Sequence, residues 1–261
     1  MREDAPTRCR TADNAVLSIA GDFEPGEARG MVERHFGAIP RGAGKPLLPD
    51  MTLPSTFGGP RREVVPDDVM LSRLFMAFRS PAFGSDAYYA ASVAGAILGL
   101  KKGSRLYRTL VREQQAAAEA TAFTYDLVKG SDLLVVDVTA RPETSVEVLE
   151  SAVHEEIDRL VTEGVTDAEV RRAVALIETD LIATLQSAGD RADRLSLFAT
   201  YFRDPTLVNV QAAKYRAVTA ERVNAFVRER LGRDNRASLL YVPREPVAVP
   251  LQGDLAMAEA P

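Results

Sequence analysis

Apolar positions along this chain change rhythm several times, and each change marks an element. Residues 15–20 form a short β-type run closed by Gly21 and Asp22. Pro25 then opens a helix with Glu24 and Glu27 at its positive end, an apolar stripe of Ala28, Met31, Val32 and Phe36, and Gly37 as its stop. Between Ala38 and Pro60 the periodicity lapses and prolines and glycines cluster, the pattern of an extended linker. Leu47, Leu48, Met51 and Leu53 are its candidates for packing on a surface.

Beyond Arg61 the rhythm returns. Residues 62–65 and 72–78 read as strands, and 86–98 as a helix with its stripe through Tyr89, Val93 and Ile97. The small residues of that helix let another element approach closely, and Tyr88 and Tyr89 read as its core and its rim. Residues 99–103 are a glycine-bounded basic turn, without the spacing of a P-loop. Ser104 caps a further helix running to about Gln115. Strands follow at 120–125 and 133–140, the second with the continuous apolar core of a buried sheet position. The remainder is helical over 144–163, 166–186, 190–202 and 219–231, with Thr166 and Glu169 as a capping box, until 237–242 closes as a strand. Strands, then helices, then one returning strand predict an α+β fold.

Residues 14–20 and 235–242 echo one another as Asn-led strands, and no domain stands in front of the first copy. The expected organisation is therefore residues 1–37 as the tail end of a preceding homologous domain, 38–60 as linker, 61–245 as the main domain and 246–261 as a loose tail.

Composition narrows the function by exclusion. The 261 residues are 46% apolar and 26% charged with a net charge of -5, an ordinary globular balance with no electrostatic footprint for nucleic acid. No apolar run approaches the roughly 18 residues that span a bilayer, and residues 1–20 lack a signal-peptide core. Cys9 is the single cysteine, so there is no disulfide framework or cysteine cage, and the compartment stays undecided. His35 and His154 are the two histidines. A catalytic zinc needs a close set of histidine and carboxylate ligands plus a water. His154 comes near the H-E-x-x-H pattern, but Asp158 stands where the second histidine belongs. His154 thus reads as a solvated residue on an amphipathic helix, and no metal ligand is assigned in this chain.

Three segments in order carry a resemblance. The first runs from Asn14 through Gly21, Asp22 and Phe23 to His35, Phe36, Gly37 and Pro40. The second is Asp86 to Gly99 with Ser104, Arg105, Leu106 and Tyr107, and the third is Leu110 to Glu113 leading into a strand pair. Together they resemble the insulinase/pitrilysin-type zinc metallopeptidases, which include the subunits of mitochondrial processing peptidase. The resemblance implies one half of a clamshell, a mixed or antiparallel sheet with helices packed on one face. Its partner is the other half, in the same polypeptide or a separate subunit, carrying an inverted H-x-x-E-H zinc motif. It further implies that zinc belongs to that partner half, that an extended peptide is the substrate, and that this half is inactive alone. In active relatives this half supplies an Arg and, seven residues later, a Tyr beside the substrate. Arg112 occupies the Arg position and Glu119 the Tyr position. A carboxylate cannot donate the phenol's hydrogen bond, so either Arg112 acts alone or the role is lost. The alternatives are a purely structural assembly domain of the same fold and, against the histidine count, a catalytic chain with unconventional ligands.

Overall fold

The computed structural model describes residues 14–42, 50–126, 132–142 and 144–244. Its centre is a five-stranded mixed sheet built from β1 (Arg61–Asp67), β2 (Arg73–Ser80), β3 (Ala117–Thr124), β4 (Asp132–Ala140) and β5 (Ala237–Pro243). The strand order is β1-β5-β2-β4-β3. All neighbours are antiparallel except β1 and β5, which run parallel with Val64 opposite Leu240. The α+β expectation holds.

The sheet has one covered and one open face because its strands alternate. On β2, Leu74, Met76, Phe78 and Ser80 are buried, whereas the intervening Arg73, Phe75, Ala77 and Arg79 are not. On β4, Leu134, Val136, Val138 and Ala140 take the covered side. Helices α2 (Asp86–Gly99), α3 (Val146–Glu163) and α7 (Ala220–Arg230) lie on that side. Helix α2 is apolar nearly all round and is accordingly sunk in the core, with its residues from Tyr88 to Gly99 buried except Ser92. Both Tyr88 and Tyr89 are core, so the rim assigned to one of them is corrected; their rings meet edge to face at 5.7 Å. Helix α4 (Asp167–Thr184) begins at the Thr166–Glu169 capping box, and α5 (Ala188–Phe202) at a Ser187 cap. A 3₁₀ turn (Pro205–Val210) and α6 (Gln211–Arg216), neither expected from the apolar pattern, complete the helical layer.

Asn235 explains why an asparagine leads β5. Buried, it accepts from the Arg79 N–H at 3.1 Å and donates to the carbonyls of Arg79 at 3.0 Å and Arg230 at 2.7 Å. It thereby pins the end of α7 and β5 onto β2. The stretch before β1 is fastened too: Arg230 Nη1 donates to the Ser55 carbonyl at 2.7 Å, and the Arg79 guanidinium lies 4.8 Å from the centre of the Phe57 ring.

Two N-terminal expectations are corrected. Residues 15–20 form no strand, and α1 (Pro25–Phe36) buries none of its residues. A strand needs a neighbour to bond its backbone, and among the described residues none is paired with this run. Leu17, Ile19, Phe23, Met31 and Phe36 are left exposed as a result. Leu47 and Leu48 lie outside the described residues, while Met51 and Leu53 are exposed rather than packed.

Candidate functional site

Arg112 and Glu119 are presented by a run of backbone irregularities. The segment opening at Ser104 is not the α-helix its pattern predicts: after one α-turn it becomes a π-helix over Tyr107–Glu113. Such wide turns are uncommon and are found frequently at functional sites. The Ser104 hydroxyl does not cap it, being buried without a hydrogen-bond partner. What fixes its start is Arg105, whose guanidinium donates to both carboxylate oxygens of Glu169, at 2.8 and 3.0 Å, and to the Gly164 carbonyl at 2.8 Å. Its middle is held by the Thr109 hydroxyl, which donates to buried Glu156 at 3.0 Å. At its exit the Gln114 N–H bonds the Thr109 carbonyl and Gln115 turns through φ 54, a left-handed conformation that costs a residue with a Cβ. A bulge between Ala117 and Glu119 then starts β3.

The consequence is a rigid corner with Arg112 on its outside. The Arg112 side chain is exposed and, among the described residues, makes no hydrogen bond or ion pair. Glu119 is exposed as well, on the open face of the edge strand. The two do not pair. Glu119 instead lies across Thr139 from Arg73, and its charge acts on that residue.

Arg73 is the centre of the open face. Its Nε and Nη2 hold Asp137 at 2.8 and 2.6 Å, a bidentate pair. The Asp137 hydrogen bond raises the arginine pKa above its ordinary value against a smaller desolvation effect, with the Glu119 charge adding to it. Arg73 also stacks on Phe75 at 4.8 Å, and Phe75 meets Tyr241 edge to face at 6.0 Å. Arg73 spends one edge of its guanidinium on Asp137, and its Nη1 donors stay on the half-exposed side. Strand alternation through Arg73, Phe75, Ala77 and Arg79 is the one sequence signal of that face; the pairing with Asp137, 64 residues on, has none.

His154 is not the solvated residue its helix pattern implied. It is half-buried and its Nε2 is enclosed without a partner. Burial lowers its pKa, Arg236 and Arg233 add to the effect, and the Glu150 and Asp158 charges oppose it. Asp158, at the position a second zinc histidine would need, is taken by Arg233 at 3.1 Å and by Arg236. Among the described residues, no group of three histidine, cysteine or acidic side chains could hold a metal ion, and no helix is long and apolar enough to cross a membrane.

Comparison with known proteins points one way. The family model described as the peptidase M16 inactive domain matches residues 7–177. A zinc protease of Mycobacterium leprae is 23% identical over 230 residues, 88% of this chain and 51% of that protein. Among solved structures, a protease from Helicobacter pylori superposes with a TM-score of 0.75 at 19% identity, over 86% of this chain and 54% of that one. The inactive peptidase domain from Bordetella parapertussis gives 0.62 at 22% identity, over 72% of this chain and 99% of that one. The chain spans about half the length of the curated relatives it matches.

Proposed function

The chain belongs to the peptidase M16 inactive-domain family, and from that premise we propose that it is the substrate-enclosing half of a two-half zinc metallopeptidase. In this reading a homologous half supplies the zinc and the activated water, and residues 1–37 are the tail end of that preceding half. This half closes the chamber, accommodates an extended peptide and presents Arg112 to it. Backbone pairing of the peptide along the exposed edge of β3 is the corresponding binding mode.

The observation that carries the proposal is the exposed, unpartnered Arg112 on a corner made rigid from three sides. A surface arginine without a role ordinarily lies along a neighbouring acid or sways in solvent; this one is anchored through Arg105, Thr109 and the bulge, with its guanidinium left over. An unspent guanidinium can hold a peptide carbonyl, or the oxyanion that develops from it, as a charge-assisted donor. Glu119 favours the second reading, an assembly domain that has lost the catalytic contact, because it replaces a hydrogen-bond donor with a carboxylate.

Arg112→Ala in the complete two-half enzyme separates them. The proposal expects turnover to fall roughly 10–1000-fold, the scale of one lost transition-state donor, with the unfolding midpoint unchanged. Glu119→Tyr should maintain or raise activity. Turnover unaffected by Arg112→Ala would leave the assembly reading standing.

A further inference from the structure

Behind the peptidase face lies a cavity of about 540 Å³ that the proposed reaction does not use. It sits between α2, the end of β3 and the helical layer of α4 to α6. Its walls are mostly apolar, with Phe83, Phe198, Ile177 and Leu181 among them. That is the size and character of a small-molecule site, with one feature to be explained: the polar atoms it contains.

Four hydroxyls converge there. Thr124 Oγ1 donates to the Tyr88 hydroxyl at 3.3 Å, and Ser92 Oγ shares a hydrogen bond with the Tyr215 hydroxyl at 3.2 Å. Tyr88 and Tyr215 are both buried, and burial pushes both phenols up, so they remain protonated. Four hydroxyls bring four protons, and a row of four can form at most three bonds among its members. At least one O–H is therefore left over for a partner outside the row, and each oxygen retains acceptor capacity. The charged side chains at the wall are neutralised in pairs, Arg194 with Asp126 at 3.1 Å and Asp180 with Lys101 at 3.7 Å. Among the described residues, the lining offers no unpaired charge to an ion. It offers aromatic and aliphatic walls, and a short hydroxyl row that both gives and accepts.

We propose that this cavity binds an uncharged aromatic group carrying one hydroxyl, a phenol. The ring packs against Phe83 and Phe198, and its hydroxyl extends the row of Tyr88, Thr124, Tyr215 and Ser92. The phenol is either a free small molecule or the tyrosine side chain of a peptide. The site is independent of the zinc-half reading, since Arg112 and Glu119 take no part in it.

The test titrates the full chain with p-cresol, with toluene and with N-acetyl-tyrosinamide, read by calorimetry or by ligand-observed NMR. The expected result is saturable one-to-one binding of p-cresol, with toluene weaker. Tyr215→Phe keeps the ring and removes one hydroxyl; it should weaken p-cresol about 3–10-fold, the worth of one neutral hydrogen bond, and leave toluene within about 2-fold. Ala212→Phe places a ring in the cavity and should weaken p-cresol by about 10-fold or more at an unchanged circular dichroism spectrum. Binding of the tyrosinamide alongside p-cresol assigns the site to a peptide side chain; p-cresol alone assigns it to a free phenol. No saturable binding of p-cresol, or binding that Tyr215→Phe does not weaken, overturns the proposal, and Tyr215→Phe decides even if Ala212→Phe fails to fold.

Discussion

Two glycines one turn apart on α2 are expected to respond to the same substitution with opposite signs. A Cβ on Gly99 would stand 1.7 Å from the backbone nitrogen of Ala122, 2.3 Å from the carbonyl carbon of Thr121 and 2.6 Å from Cα of Ala122. These are main-chain atoms of β3, so no side chain can swing aside. Restoring an ordinary carbon contact of about 3.5 Å requires helix and strand to separate by roughly 1.5–2 Å, which opens voids between Leu98 and the sheet. Overpacking costs about 1–3 kcal/mol where neighbours can yield, and here they cannot, so Gly99→Ala should cost about 3 kcal/mol or more. On Gly95 the same methyl meets Phe123 at 3.6 Å and Leu134 Cδ1 at 3.8 Å, ordinary contacts. Gly95→Ala should therefore be neutral or stabilise by up to about 1 kcal/mol, the helix-propensity difference. Equilibrium urea unfolding reads both. With a slope of about 2 kcal/mol/M, Gly99→Ala lowers the midpoint by about 1.5 M, while Gly95→Ala leaves it level or raises it slightly. Because β3 follows directly from the Arg112 corner, Gly99→Ala should also weaken activity of the complete enzyme. Equal midpoints for the two variants would refute the claim that α2 is seated backbone-to-backbone on β3.

Two further substitutions probe the electrostatics. His154 has a lowered pKa, so below its ordinary value of 6.5 the unfolded chain takes up a proton that the folded chain resists, and stability falls as pH drops through that window. His154→Gln should flatten the slope of the urea midpoint between about pH 6.5 and 5, by at most about 1.4 kcal/mol per pH unit; an unchanged slope would show that the imidazole is protonated in the fold. Burial of Glu169 raises its pKa, but the Arg105 hydrogen bonds and the Thr166 N–H outweigh that and hold it at about 2, against an ordinary 4.5. Its stabilising effect is therefore complete above pH 4.5 and is lost as pH falls towards 2. Arg105→Met should cost about 3 kcal/mol by stranding Glu169, and adding Glu169→Gln should recover part of it; a full loss in the double variant would mean that Arg105 acts through packing alone.

Strands β2 and β4 and the cap of α4 were the legible part of this fold, since the two strands carry their alternation locally and the Thr166–Glu169 box is written in four consecutive positions. Parallel pairing of β1 with β5 was not, because Arg61, Arg62 and Glu63 give a charged edge no apolar signature and its partner lies more than 170 residues away, as with Arg61 opposite Ala237. The π-helix has no sequence mark: its wide turns follow from Arg105 and Thr109 being held by α3 and α4, contacts that only the tertiary structure creates. The same holds for His154, whose helix position promised solvent but which the fold half-buries within reach of the Arg236 charge, 82 residues on. Arg112 and Glu119 were reachable through the family pattern, but their separation was not, because the register of β3 on β4 sets Glu119 opposite Thr139 on the open face, where its charge acts on Arg73.

The claim at the centre of this account is that the chain contributes to peptide hydrolysis only together with a zinc-bearing half. Its most direct test is a hydrolysis assay on an unstructured peptide, with the purified chain alone, the purified zinc-bearing half alone, and the two combined. Chelator-sensitive cleavage is expected in the combined sample at a rate well above the sum of the separate ones, with no zinc-dependent cleavage by this chain. Chelator-sensitive cleavage by the chain alone, or a combined rate no greater than that of the zinc-bearing half, would contradict it.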